Sequence, residues 1–408
     1  MAKYFVSEAF GPHLRALARV AYFKIVSKDE PLAKRFLYKL YQYIIWFLIF
    51  LYNLQHLIRV VQVRNSIEQL VDTLFILLTT LNCLGKQVAF NAKSQRVKEI
   101  FNVIDGPVFA PTKPHHLEVM KKNTVSMAHL LLIYQCGSMF CVCLWFIFPF
   151  VNRALGKEIA FTGYLPFDAS ESPAFELAVL YMTFTIGIQA YGHVGMDCTI
   201  VALYRQATVQ VQLLRYNLEH LMDTDDENVK IEARIITKTN NERHVNKDNT
   251  YDPSDMIQRR LVDNANHYKT IASFVKEVES IFSEAMIVQF FAMAWVICMT
   301  VYKIVSLSIL SAEFMSMAMY LGCMLGQLFI YCYFGTELIM ESEFICQSIY
   351  CGDWLSLSPS FRRKLLLLMS YCKRPLALRT AYIIPMSLNT YIAVLKSSYS
   401  LFTFLNRN

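Results

Sequence analysis

The chain carries none of the short motifs that mark common enzyme chemistry. There is no Walker A loop, no Gly-x-Gly-x-x-Gly run, no His-Glu-x-x-His pair and no Gly-x-Ser-x-Gly elbow. Nucleotide, dinucleotide, zinc-protease and serine-hydrolase mechanisms therefore have no foothold. Charge is scarce as well. Only 17% of the 408 residues are charged, against about 25% in soluble domains, so a water-soluble helical domain is disfavoured. No secretory signal peptide is visible, because the first 35 residues are mixed polar and charged. The first apolar run is expected to act as an uncleaved signal anchor.

Apolar length is what the chain has in excess, with 55% hydrophobic and 14% aromatic residues. Seven stretches have roughly the 20 residues needed to cross a ~30 Å hydrocarbon core. They are Phe36–Ile58, Ile67–Val88, Met127–Val151, Ala174–Leu203, Ile281–Tyr302, Leu307–Thr336 and Leu378–Leu405. Lysine and arginine are distributed unevenly between the two faces that these spans define. The N-terminal segment and the connections Lys86–Ser126, Tyr204–Ser280 and Glu337–Ala377 hold 30 of them, and the opposite face holds six. The positive-inside rule puts the N-terminus in the cytoplasm and the C-terminus outside. The expected fold is thus an all-α membrane protein with seven transmembrane helices. Its net charge of +7 faces anionic membrane lipid and calls for no nucleic acid. None of the eleven cysteines falls in an outer connection, so no outer-face disulfide framework is implied. Cys141 and Cys143 are too close on one helix for a metal site, and no Cys/His cluster has zinc spacing. No metal or cofactor is expected.

The connections have their own character. Residues 1–35 form a cytoplasmic N-terminal segment. Asn91–Ile104 reads as a short amphipathic helix ahead of breakers at Gly106-Pro107, Pro111 and Pro114. The outer connection 152–173 combines Gly and Pro with Phe161, Tyr164 and Phe167, as a packed lid would. Helical periodicity continues past the fourth span through Met222 and returns at Met256–Ser280, so 204–280 is expected to hold two cytoplasmic helical extensions. Between them, 223–255 is polar and aperiodic and reads as disordered. With Glu337–Leu357, in the anchor segment 337–377, these helices can build a packed intracellular layer.

The C-terminal third resembles the insect odorant receptor family. The resemblance rests on Tyr331-Cys332-Tyr333-Phe334-Gly335-Thr336-Glu337-Leu338, Glu341-Ser342-Glu343, Tyr350 with Trp354, Arg362-Arg363-Lys364, Arg374-Pro375-Leu376, Pro385-Met386-Ser387-Leu388 and the run Lys396–Thr403, in that order. His267 and Phe274–Phe290 also look like the family's approach to its fifth span. A narrower resemblance, to the moth sex-pheromone receptor lineage, rests on Phe101–Asp105, Pro107–Pro111, Phe161–Tyr164 and Tyr216–Leu221. The resemblance implies a ligand-tuned subunit of an odorant-gated, non-selective cation channel in the plasma membrane of an olfactory neuron dendrite. It implies a volatile ligand and a hetero-tetramer with a coreceptor around one pore lined by the last helix, 378–405. A metabotropic seven-helix receptor would need the opposite orientation. A transporter would usually show internal repeats or broken helices, which are not evident.

The resemblance places the ligand pocket in the outer halves of spans two, three, four and six, and helical spacing selects the residues. They are Asp72, Thr73, Ile76 and Thr80 on span two; Ser138, Cys141 and Trp145 on span three; Tyr181, Phe184, Thr185 and Ile188 on span four; and Met317 and Tyr320 on span six. Apolar walls with a few hydroxyls suit a volatile chain with one polar end. Trp145, Tyr181 and Tyr320 are expected to set shape, and Thr80 or Ser138 to supply a hydrogen bond. On the last helix, Leu388, Ile392, Leu395, Tyr399, Phe402 and Asn406 share one face. The resemblance makes that face the pore, with Phe402 as constriction and Asn406 at the outer mouth. Ordinary helix packing is the competing reading for every one of these residues. Asp197, His193 and Glu284 are further ionisable residues in or near spans, and a structural role is favoured for them.

Overall fold

The structure, a computed structural model, describes residues 6–25, 31–156, 161–169, 171–222, 253–307, 312–352, 354, 357–380 and 384–405. The segment 223–252, most of the stretch expected to be disordered, lies outside them, as does Asn406. A 3-10 turn at Val6–Phe10 leads into helix α1 (Gly11–Arg19). There follow α2 (Leu32–Gln62), α3 (Ile67–Ala92), α4 (Ser94–Ile104), α5 (Pro114–Ala154), α6 (Ala174–Glu219), α7 (Pro253–Ser306) and α8 (Ala312–Glu343). Two short helices, α9 (Ile345–Cys351) and α10 (Pro359–Cys372), precede a two-stranded hairpin, β1 (Arg379–Thr380) and β2 (Ile384–Pro385). Helix α11 (Leu388–Leu405) closes the described chain.

Among the described residues, six helices, α2, α3, α5, α6, α7 and α8, are long and apolar enough to cross a membrane. Their outward faces are apolar. Phe36, Phe47 and Phe50 of α2, Ile133 and Phe140 of α5, and Leu177, Leu180 and Phe184 of α6 are all exposed. A water-facing surface does not tolerate such contiguous apolar area, and the chain is built as a multi-pass membrane protein. Helix α11 has 18 residues, about 27 Å of helix at ~1.5 Å per residue.

Three expected boundaries change. The last helix starts at Leu388 and not at Leu378. Arg379 pairs with Pro385 and Thr380 with Ile384 in an antiparallel hairpin, closed by Met386 N–H donating to Leu378 O at 2.9 Å. Pro385 cannot continue a helix and biases the residue before it towards extended backbone. The anchor segment 337–377 is not one helix either. Helix α8 runs to Glu343 and α9 follows, and Ser358 then caps α10 by accepting from Phe361 N–H at 3.4 Å, with Pro359 in the first turn. Helix α5 begins at Pro114, ahead of Met127, where the third span was expected to start.

Helices α6 and α7, at 46 and 54 residues, are about 70 and 80 Å long and outrun a ~30 Å hydrocarbon core. Their extensions pack with α4, α9 and α10. Val97, Ile100, Val209, Leu213, Ile271, Phe274, Ile345, Leu365 and Leu368 share one buried cluster there. Ion pairs seam it: Arg96 to Glu277 at 2.7 Å, Arg205 to Glu337 and Arg215 to Glu341. From Gly192 to Leu214, α6 is buried almost throughout. Gly192 admits the Tyr22 ring so closely that a Cβ there would collide with it. Gly335 faces the Met386 backbone in the same way and seats the hairpin against α8. At the other end, the described part of the 152–173 connection lies over α2 and α6. Tyr164 N–H donates to Gln55 O at 3.0 Å, and the Phe161 and Phe175 rings lie 6.0 Å apart.

Candidate ligand-binding site

One cavity of about 90 Å³ lies between α3, α5, α6 and α8. Each helix gives it one stripe at helical spacing: Ile76, Thr79, Thr80 and Cys83; Ser138, Cys141, Val142 and Trp145; Ile186, Gln189, Ala190, His193 and Val194; Tyr320, Cys323, Met324 and Gln327. Phe75 and Tyr134 complete the wall. Aromatic rings form the roof. Phe75 meets Tyr320 edge-on at 4.9 Å, and Trp145 stacks on Tyr320 at 5.7 Å. These orientations suit the ring quadrupoles. Their polar tips are engaged elsewhere. Trp145 Nε1–H donates to Ser316 Oγ at 2.8 Å, Tyr320 and Thr79 hydroxyls are paired at 2.8 Å, and Tyr134 O–H donates to Cys323 O at 2.6 Å. Cys141 and Cys323 place their sulfurs 3.7 Å apart across the cavity wall.

A buried polar cluster is continuous with the cavity lining. Asp197 accepts from Lys86, from Gln327 and, at 2.6 Å, from the Tyr331 hydroxyl. Lys86 also reaches His193 Nε2 at 2.8 Å. The Lys86 and Asp197 side chains are 1% and 5% exposed. Burying this pair is costly unless hydrogen bonds offset the lost hydration, and His193, Gln327 and Tyr331 supply some of them. Lys86 was expected in a charged cytoplasmic connection. It belongs instead to the interior of α3, and the cation imbalance survives without it.

Of the expected pocket residues, Ile76, Thr80, Ser138, Cys141, Trp145 and Tyr320 line the cavity. Asp72 and Met317 border a second cavity of about 10 Å³, with Phe75 lining both. Asp72 pairs with Lys303 there. Four residues sit elsewhere. Thr73 bonds back to Gln69 O at 2.9 Å, and Thr185 to Tyr181 O at 2.9 Å. Tyr181 O–H donates to Gln55 at 2.8 Å, and Ile188 packs on the main core. Phe184 is a correction: it is 59% exposed on the outward stripe of α6, with Leu177 and Leu180. The cavity stripe of α6 starts at Ile186 instead. The Thr80 hydroxyl is committed to Asn53 Oδ1 at 2.8 Å, so its proton is already used. Sequence reasoning missed Gln189, His193, Cys323 and Gln327 as lining residues. Extending the Tyr320 stripe by three and seven positions reaches the last two. Polar side chains inside an apolar span were the available signal for the first two.

On α11, Leu388, Tyr391 and Val394 pack with α7 and α8, and the Ser398 hydroxyl donates to Ala294 O at 3.1 Å. Leu388 therefore belongs to the packed face, not to the expected pore stripe. Ile392 and Tyr399 are exposed, Tyr399 by 68%, while Leu395 and Phe402 are half-buried.

Membrane-length helices around a small, mainly apolar cavity define the class: a multi-pass membrane protein with a cavity between its helices. Residues 66–399 match the family described as 7tm odorant receptor, and the chain belongs to that family. Odorant receptor 46a, isoform A, of Drosophila melanogaster is 23% identical over 370 residues, covering 90% of each chain. Odorant receptor Or1 of Anopheles gambiae is 19% identical over 340 residues, covering 82% of this chain and 80% of its own. The insect olfactory receptor OR5 of Machilis hrabei, solved in complex with eugenol, shares the fold with a TM-score of 0.81 over 98% of both chains at 15% identity. These relatives are receptors and not enzymes.

Proposed function

We propose that the chain is the ligand-tuned subunit of an odorant-gated, non-selective cation channel. It has a cytoplasmic N-terminus, an extracellular C-terminus and seven spans, with α11 as the seventh. It works with a coreceptor in a tetramer around one pore, in the plasma membrane of an olfactory neuron dendrite. The observation that carries this reading is the cavity between four helices, each giving it one stripe of its wall. The face of α11 left unpacked at Ile392 and Tyr399 supports a pore lined by Leu395, Tyr399, Phe402 and Asn406. An apolar ring at Phe402 can gate by dewetting.

The ligand in this reading is a pheromone-like, long aliphatic chain with one polar end, an unsaturated acetate, aldehyde or alcohol. Each methylene taken out of water contributes roughly 0.8 kcal/mol, so chain length alone supplies affinity. A long chain outgrows the cavity as it stands. It would displace Phe75 and run into the second cavity beside Met317, which brings Asp72 and Met317 into the site.

Current recording from cells expressing the chain with and without coreceptor, against a panel of volatiles, tests the proposal. The expected result is ligand-evoked cation current that needs the coreceptor and survives block of G-protein signalling. Current that persists without any channel partner and vanishes on that block would establish a metabotropic receptor instead.

A further inference from the structure

Gln189 is 2% exposed and lines the cavity. Both its Nε2 and its Oε1 are buried without a hydrogen-bond partner. Among the described cavity residues no other buried side-chain nitrogen or oxygen is left in that condition. Thr79, Thr80, Tyr134, Trp145, His193, Tyr320 and Gln327 are all paired inside the protein. An amide buried with neither donor nor acceptor engaged costs the fold free energy. Gln189 belongs to the cavity wall, so a molecule in the cavity can recover that loss once the buried amide turns to meet a matching group.

We infer that Gln189 is the specificity-determining residue of the cavity, reading the oxygenated head group of the ligand. This deepens the ligand-binding reading above and rests on it. The chemistry sets a rank order. A hydroxyl both donates and accepts, so it satisfies Oε1 and Nε2 together. An aldehyde or ester carbonyl only accepts, so it satisfies Nε2 alone. A hydrocarbon satisfies neither. A site built to bond a polar group rejects the analogue lacking it more strongly than an apolar pocket rejects a missing methylene. The expected order is therefore alcohol, then carbonyl compound, then alkane at equal chain length. His193, one turn further along α6, keeps its Nε2 occupied by Lys86 and does not compete for the head group.

The test uses 1-octanol, octanal and n-octane on the full chain assembled with coreceptor. Binding is read by ligand-induced thermal stabilisation and, separately, gating by current. In the native chain octanol should bind roughly tenfold or more tightly than octane, the worth of one well-made buried hydrogen bond. Gln189→Met should collapse that ratio towards one, weaken octanal less than octanol and leave octane unchanged or tighter. The unliganded variant should melt no lower than the native protein, which a merely structural glutamine would not allow. Gln189→Leu repeats the measurement with a different shape. An equal shift for all three probes, an unchanged ratio, no binding of any probe to the native chain, or loss of assembly in both variants overturns the inference. If binding follows the rank order but no probe evokes current, the channel reading falls and the role of Gln189 stands. If currents flow with a ratio untouched by either variant, the reverse holds.

Discussion

Trp145 stacks on Tyr320 with ring centroids 5.7 Å apart and planes inclined by 27°, which couples α5 to α8 across the roof of the cavity. Such a pair contributes about 0.5–1.5 kcal/mol beyond its buried area. Its removal also enlarges the cavity. Trp145→Ala and Tyr320→Ala should each move the dose–response curve of the best agonist by about tenfold or more, and Trp145→Ala should shift preference towards bulkier ligands. Curves that stay in place for both variants would sink this pocket assignment.

The Lys86–Asp197 pair should behave as a unit. Asp197→Asn or Lys86→Met alone strands a buried partner and should cost about 3–5 kcal/mol. The double variant should recover a large part of that loss, because no charge is left unpaired. Thermal unfolding and surface expression of the three variants read the coupling. Additive losses would show that the two residues act independently.

Acid should weaken the packed extension layer through His267. Burial among apolar groups lowers its pKa from 6.5 to about 4, and its Nε2 lies 2.8 Å from Gln210 Oε1. The folded state holds this imidazole neutral, while the unfolded chain protonates it near 6.5. Its neutral form therefore stabilises the fold fully above pH 6.5. Stability falls as pH drops from 6.5 towards 4, by roughly 3 kcal/mol in all, and levels off below. Buried His13, also lowered to about 4, acts in the same direction. A melting-temperature series over this window should show an acid limb that His267→Gln flattens. A limb of unchanged slope in that variant would assign it to other groups.

Orientation has a direct readout. The lysine and arginine split, 29 to six once Lys86 is counted within α3, expects a C-terminal epitope tag to stain on intact cells and an N-terminal tag only after permeabilisation. The opposite pattern would reverse the topology and remove α11 as an outward-opening pore helix.

The long helices were legible because apolar length is a one-dimensional signal. Ser138, Cys141 and Trp145 all line the cavity. The stripe expected on α6 leaves the cavity at Phe184, which faces outward. A membrane helix is apolar towards both lipid and cavity, so hydrophobic period does not tell the two faces apart. Gln189 and His193 mark the inward face better than any aromatic does. Lys86 was misplaced because its partner Asp197 is 111 residues away, and no local rule pairs residues so distant. The late start of α11 reflects hairpin pairing around Pro385, which outweighs the apolar run that precedes it.

The burial of Lys86 against Asp197 also constrains how the chain is made. Helix α3 leaves the ribosome before α6, and at about 5–20 residues per second the 111-residue separation of Lys86 and Asp197 takes on the order of ten seconds. During that interval the lysine sits in a membrane segment without its carboxylate, at an insertion cost of about 2.5–3.5 kcal/mol if placed centrally. Assembly of α6 onto α3 is thus a timed step in biogenesis. A chain stalled before it carries a naked intramembrane cation, the kind of feature by which endoplasmic-reticulum quality control can distinguish an unfinished receptor from a finished one.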